Sequence, residues 1–189
     1  VSQSLINLLG EIIMPNWCYN NLTIDGTTKG GKILAEAFRP KYPMDDGTLD
    51  ANPFQDLMPI PEDLRIVSGW FGDGTDKQNE MQKLYEANKE KYGFENWYHW
   101  CIANWGTKWD ATVQDFDDNN INDIRVYFET AWSPPLDFLS WFCEQHPDTV
   151  FTLNYDEEGC SFEGETTHNP EDGFVDNCWT PEMALEDAE

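Results

Sequence analysis

The sequence predicts an α+β domain in which one antiparallel sheet carries helices on a single face and a loop-and-helix insertion follows the first helix. Three observations predict it. Short runs of alternating apolar and polar residues recur between Trp17 and Gly164, at strand length and with turn residues between them. Stretches of helical periodicity separate these runs, in the order strand, helix, insertion with two helices, two strands, helix, two strands. Finally, 40% hydrophobic and 14% aromatic residues in a chain of 189 are enough for one well-buried core.

Trp17 to Asp25 is the first strand, with Cys18, Leu22 and Ile24 on one face and Trp17, Tyr19 and Thr23 on the other. A helix follows from about Gly30 to Phe38, where Ile33, Leu34, Ala37 and Phe38 form an apolar stripe. Residues 40–75 are rich in Pro, Gly and Asp, and Phe54, Leu57, Met58, Ile60 and Leu64 anchor this long connection to the core. Asp76 to Tyr92 is a charged helix with a narrow stripe of Met81, Leu84, Tyr85, Asn88 and Tyr92, stopped by Gly93. The next helix runs from about Glu95 to Trp105. Phe94, Trp97, Tyr98, Cys101, Ile102 and Trp105 fall on its buried face, His99 and Trp100 stand off it, and Gly106 suits a left-handed helix end.

Residues 109–117 and 124–132 are the next two strands; Ile124, Val126 and Phe128 face inward, Arg125, Tyr127 and Glu129 outward. Ser133 is a natural N-cap and Pro134 a natural first residue for a helix reaching about His146, which buries Leu136, Leu139, Phe142 and Cys143. Strands at Val150–Tyr155 and Cys160–Gly164 follow. The order β-α-β-β-α-β-β is the split βαβ pattern of the ferredoxin-like topology. Residues 14–167 therefore form one domain with an insertion at about 40–93, and 168–189 an acidic tail. Met14-Pro15-Asn16-Trp17-Cys18 has the look of a protein start, so residues 1–13 are expected to be a flexible or non-native extension.

Charge is the strongest functional signal. The net charge is −25, and it is unevenly placed: residues 109–189 hold 21 acids and a single cation, Arg125. Such a field repels nucleic acid phosphates and anionic membranes, and attracts basic proteins. Direct nucleic acid binding is thus not expected, although Trp17, Tyr19, Phe116 and Tyr127 would give the open sheet face an aromatic surface suited to base stacking. No apolar run approaches the length of a membrane-spanning helix. Five cysteines without a C-x-x-C fit a reducing cytoplasm better than a disulfide framework or a zinc site.

Catalytic motifs are missing. There is no G-x-S-x-G, H-E-x-x-H, P-loop or dinucleotide fingerprint, the three histidines have no ligand spacing, and no catalytic residue, metal or cofactor is expected. The acidic loop Asp115–Asp123 fails the EF-hand pattern, because Asn120 replaces the turn glycine and Val126 the bidentate glutamate.

Four short segments carry a resemblance. Pro15-Asn16-Trp17-Cys18, Asn104-Trp105-Gly106-Thr107-Lys108-Trp109, Thr130-Ala131-Trp132-Ser133-Pro134-Pro135 and Tyr155-x-x-Glu158-Gly159-x-x-Phe162-x-Gly164 together resemble the YubB-like family of phage and plasmid proteins with a ferredoxin-like domain. The resemblance implies a mobile-element origin and a bacterial cytoplasm, and carries no catalytic or ligand residues with it.

Two functional expectations follow. The first is a non-enzymatic binding protein acting on a host protein, in its sharper form a nucleic-acid mimic that occupies a basic groove of a nucleic-acid-binding protein. Its acidic interaction face would comprise Glu129, Asp156, Glu157, Glu158, Glu163 and Glu165. The second is an enzyme or small-ligand binder with a pocket at the Asn104–Asp110 corner, where Lys108 is the cation, Asn104 a hydrogen-bonding group, and Trp105, Trp109 and Trp132 the walls.

Overall fold

The computed structural model describes residues 16–180, so the extension expected at 1–13 lies outside the described residues. The elements in chain order are β1 (Trp17–Ile24), α1 (Lys29–Phe38), β2 (Tyr42–Pro43), β3 (Leu49–Asp50), α2 (Pro53–Leu57), α3 (Asp76–Tyr92), α4 (Trp97–Trp105), β4 (Thr112–Asp117), β5 (Ile124–Ala131), α5 (Leu136–Gln145), β6 (Phe151–Glu157), β7 (Phe162–Asn169) and β8 (Gly173–Trp179). Six strands form one sheet in the order β4-β5-β1-β6-β7-β8, every neighbouring pair antiparallel. The first four positions are a split βαβ arrangement, and β7 and β8 extend it beyond β6.

Alternation along the strands decides which face is covered. Cys18, Asn20, Leu22 and Ile24 of β1, with Val126 and Phe128 of β5 and Leu153 of β6, are buried against Leu34 and Phe38 of α1 and Phe138, Leu139 and Phe142 of α5. The insertion belongs to the same core. Phe54 of α2 is fully buried, 4.6 Å from Phe138 and 6.3 Å from Phe38 between ring centroids. Two polar side chains share this interior and are satisfied there: Asn20 Nδ2 donates to Cys18 O and Thr130 Oγ1, and Thr130 Oγ1 donates to Ser133 O.

The entry to α1 explains a pair of glycines. Thr28 caps the helix through Gly31 N–H, and the Asp148 carboxylate accepts from Lys29 and Gly30 N–H. A Cβ on Gly31 would lie 1.9 Å from Asp25 O, a backbone atom that cannot rotate away. Gly31→Ala is therefore expected to cost about 1–3 kcal/mol of stability, measured by urea denaturation.

Four expectations need correction. Residues 168–180 are not a tail: they hold the end of β7 and the whole of β8, paired from Glu163↔Trp179 to Asn169↔Gly173. On α4, Trp100 is buried and Ile102 is 41% exposed, the reverse of the stripe expected, because Trp100 packs edge-on against Trp105. Ser133 does not cap α5, whose N-cap is Pro135; its hydroxyl donates instead to Gly106 O. Phe116 faces the helices, since a bulge between Val113 and Asp115 resets the alternation of β4, and Arg39 lies over its ring. No helix among the described residues is long and apolar enough to cross a membrane.

Candidate functional site

The segments singled out in the sequence converge at one end of the sheet. Thr107 Oγ1 donates to Ala131 O at 2.9 Å, and Trp132 N–H donates to Asn16 O at 2.9 Å, which lengthens the β1–β5 ladder by a residue. Cys18 pairs with Glu157 across β1 and β6, and the turn at Gly159 lies so close to Asn16 that a Cβ there would meet its side chain at 2.1 Å. Gly164 is equally constrained, because the Tyr155 ring crosses it to donate to Asp176 Oδ1 at 2.9 Å. Residues of all four motif segments thus have structural roles.

At the Asn104–Asp110 corner several side chains are engaged within the chain. Gly106 ends α4 with φ 79°, and its N–H donates to Ile102 O. Trp105 is 2% exposed and donates from Nε1 to Met58 O, so it is a core residue and not the wall of an open pocket. Asn104 Nδ2 donates to Trp100 O within α4. Lys108 Nζ lies 4.5 Å from the Trp109 ring and 5.3 Å from the Tyr98 ring, and Trp109 packs 6.3 Å from Trp17. Trp132 is 40% exposed at φ 74°, an unusual backbone conformation for a bulky residue. Two depressions, of about 400 and 260 Å³, lie against α1, and neither is lined by residues 104–110.

The open face of the sheet is different in kind. Strand register places Thr112, Glu129, Tyr19, Asp156, Glu163 and Trp179 in one row across the six strands. The next row holds Asp115, Tyr127, Asn21, Asn154, Glu165 and Asn177. Among the described residues no helix covers this face, and no cation lies within ion-pair distance of Glu129, Asp156, Glu163 or Glu165. Arg125 shares the face, but its guanidinium pairs with Asp123 in the β4–β5 loop.

Of the six acids expected on an interaction face, four stand on this surface. Glu157 must be corrected: it is 1% exposed, turned inward with Phe151, Leu153 and Tyr155, and its carboxylate accepts from Gly159 and Cys160 N–H to close the β6–β7 turn. Glu158 lies exposed in that turn. Asp115, at the start of the acidic loop, joins the face, because the bulge that turns Phe116 inward turns Asp115 outward.

Asp156 and Glu163 stand directly opposite each other on neighbouring strands, a like-charge pair that opposes folding. The double variant Asp156→Asn/Glu163→Gln is expected to be more stable than the natural chain, by about 0.2–1 kcal/mol, and less so as salt is added. Thermal denaturation at low and high ionic strength measures it. A destabilised variant would mean that the two carboxylates hold structure rather than a surface.

Burial pushes the Cys18, Cys101 and Cys143 thiols up to about 12, which leaves them protonated at neutral pH. His168 Nδ1 bonds to Thr149 O at 2.6 Å and stacks on Phe151, and His146 packs on Phe142. No three His, Cys, Asp or Glu side chains among the described residues converge as metal ligands.

Comparison with known proteins adds the fold and no chemistry. Residues 105–188 match the family model described as "Ferredoxin-like domain in Api92-like protein". The crystal structure of a protein api92 from Yersinia pseudotuberculosis aligns at 14% identity and a TM-score of 0.45, over 87% of this chain and 98% of that one. No curated protein matches the chain. From Trp105 onward the chain thus carries a ferredoxin-like domain similar to that of Api92-like proteins, an α+β unit with a mostly antiparallel sheet.

Proposed function

We propose that this protein is a non-enzymatic binding module that docks the open face of its sheet on a basic surface of a protein partner. One observation carries the reading: Glu129, Asp156, Glu163 and Glu165 line an uncovered sheet face, and among the described residues no cation is paired to them. Like charges across strands repel, so this arrangement does not stabilise the fold. A partner that supplies the missing cations converts the cost into attraction and into fast, salt-sensitive association.

In its sharper form the face takes the place of nucleic acid phosphates in a basic groove. The resemblance of four segments to the YubB-like family supports a phage or plasmid origin, a bacterial cytoplasm and a host partner for such a role. A purified basic DNA-binding protein, with duplex DNA as competitor, tests it. Complex formation at low salt, weakening steeply as salt rises and competing with the duplex, is the expected result. The variant with Glu129→Gln, Asp156→Asn, Glu163→Gln and Glu165→Gln should lose the complex and keep its fold. Binding that ignores salt, or survives the four substitutions, would overturn the proposal.

A further inference from the structure

We infer that the cation this face accepts is an arginine guanidinium on an extended segment of the partner, held between Tyr19 and Tyr127 and bonded by Glu129 and Asp156. The inference rests on the open face being the docking surface and adds which cation it selects. Tyr19 sits directly between Glu129 and Asp156 in the strand register. Tyr127 is two residues from Glu129 on the same face of β5, and is 39% exposed. The four side chains share one neighbourhood: burial and the charges of Glu129, Tyr19 and Asp156 raise the Tyr127 hydroxyl above its ordinary range.

The molecule itself shows what such a set of groups takes. Near α1, the Arg39 guanidinium donates to Glu36 Oε2 at 2.9 Å and to Asp118 Oδ2 at 2.7 Å while lying 4.8 Å from the centre of the Phe116 ring. Two carboxylates and an aromatic ring thus enclose one guanidinium. The open face repeats these parts, with a second ring, and its one arginine, Arg125, is taken up by Asp123 rather than by Glu129 or Asp156. A planar, weakly hydrated guanidinium can stack on a ring and bond a carboxylate with its edge at the same time. An ammonium is a compact, strongly hydrated point charge and uses the rings less well.

The partner segment would run across the strands. Successive strands lie about 4.8 Å apart, so the row from Glu129 to Glu163 extends about 14 Å, while an extended chain presents alternate side chains about 7 Å apart. Two or three arginines on one side of such a segment match that length.

The test uses the full chain and two nine-residue peptides, one alternating Arg and Gly, the other Lys and Gly, titrated calorimetrically at low salt. The arginine peptide should bind at least about fivefold more tightly. Tyr19→Leu/Tyr127→Leu should bring that ratio to one, weakening the arginine peptide more than the lysine peptide. Equal affinities on the natural protein would overturn the arginine inference and leave the acidic docking face standing. Failure of both peptides to bind would overturn both, and a preference that persists in the double variant would remove the two tyrosines from the site.

Discussion

A fragment of residues 105–189 is expected to show no cooperative unfolding transition, even though it spans the whole stretch that matches the ferredoxin-like family model. The fragment retains β4 to β8 and α5 but lacks β1, α1 and α2. In the sheet, β1 lies between β5 and β6 and pairs with both, Trp17–Ile24 against Ala131–Ile124 and Cys18–Ile24 against Glu157–Phe151. Without it the sheet falls into two pieces with newly opened edges, which are templates for aggregation. The core also loses Cys18, Leu22, Ile24, Leu34, Phe38 and Phe54, all fully buried. At about 1.5–3 kcal/mol for each large apolar side chain, that loss is comparable to the whole 5–15 kcal/mol stability of a typical domain. Far-UV circular dichroism on heating is the measurement, with a chain trimmed to residues 16–180 as the control that keeps its transition. A sharp transition in the fragment would show that β5 and β6 close on each other, and the role given to β1 would be wrong.

What the sequence made legible, and what it hid, follows from how far each signal reaches. The buried faces of β1 and β5 came from strict alternation, and Ile124, Val126 and Phe128 were placed correctly because nothing interrupts that strand. In β4 the bulge between Val113 and Asp115 put two residues three apart on one face, so Phe116 was assigned outward and Asp115 was overlooked. Glu157 could have been placed by the same rule, since it follows Phe151, Leu153 and Tyr155 at spacing two; its charge argued against burial, and only the turn's two N–H donors explain it. β8 was missed because its sequence lies in an acidic stretch, and its pairing with β7 is what makes Gly173–Trp179 a strand.

The candidate site divided in the same way. A surface of unpaired acids was visible from composition, because 21 acids against one cation leave no other outcome for that half of the chain. Which of them share a face needed strand register. The crowded corner at Asn104–Asp110 is hard to read for the opposite reason: short-range density of Trp, Lys and Asn looks the same in a packed joint and in a pocket. Only tertiary contacts, such as Trp105 to Met58 O, separate the two.

The last residue of that corner carries the second large effect. The Asp110 carboxylate turns inward and accepts from Phe54 N–H at 3.0 Å, Gln55 N–H at 2.9 Å and Ala111 N–H at 2.9 Å. Asn52, the N-cap of α2, makes no side-chain cap bond, so Asp110 supplies the cap from across the domain and ties the insertion to the start of β4. Asp110→Ala leaves three N–H donors without an acceptor, at about 1–3 kcal/mol each where they are buried, and the total expected loss is about 3–5 kcal/mol. Because Phe54 is the insertion's main contact with Phe38 and Phe138, that loss should loosen residues 40–64 first, visible as faster hydrogen exchange there than in β1. Burial pushes the Asp110 carboxyl up to about 7 against the opposing pull of its three N–H donors. A carboxyl whose native value lies above its unfolded one binds a proton in the folded chain that the unfolded chain has released. Its contribution is therefore fully present below about pH 4, declines as pH rises toward 7, and is constant above, with a slope of at most about 1.4 kcal/mol per pH unit. Asp110→Asn cannot titrate, so the stability difference between it and the natural chain should change between pH 4 and 7 in that direction and be flat beyond. Urea denaturation across that range decides it: a difference independent of pH would place the carboxyl in its ordinary range, held ionised by the helix it caps.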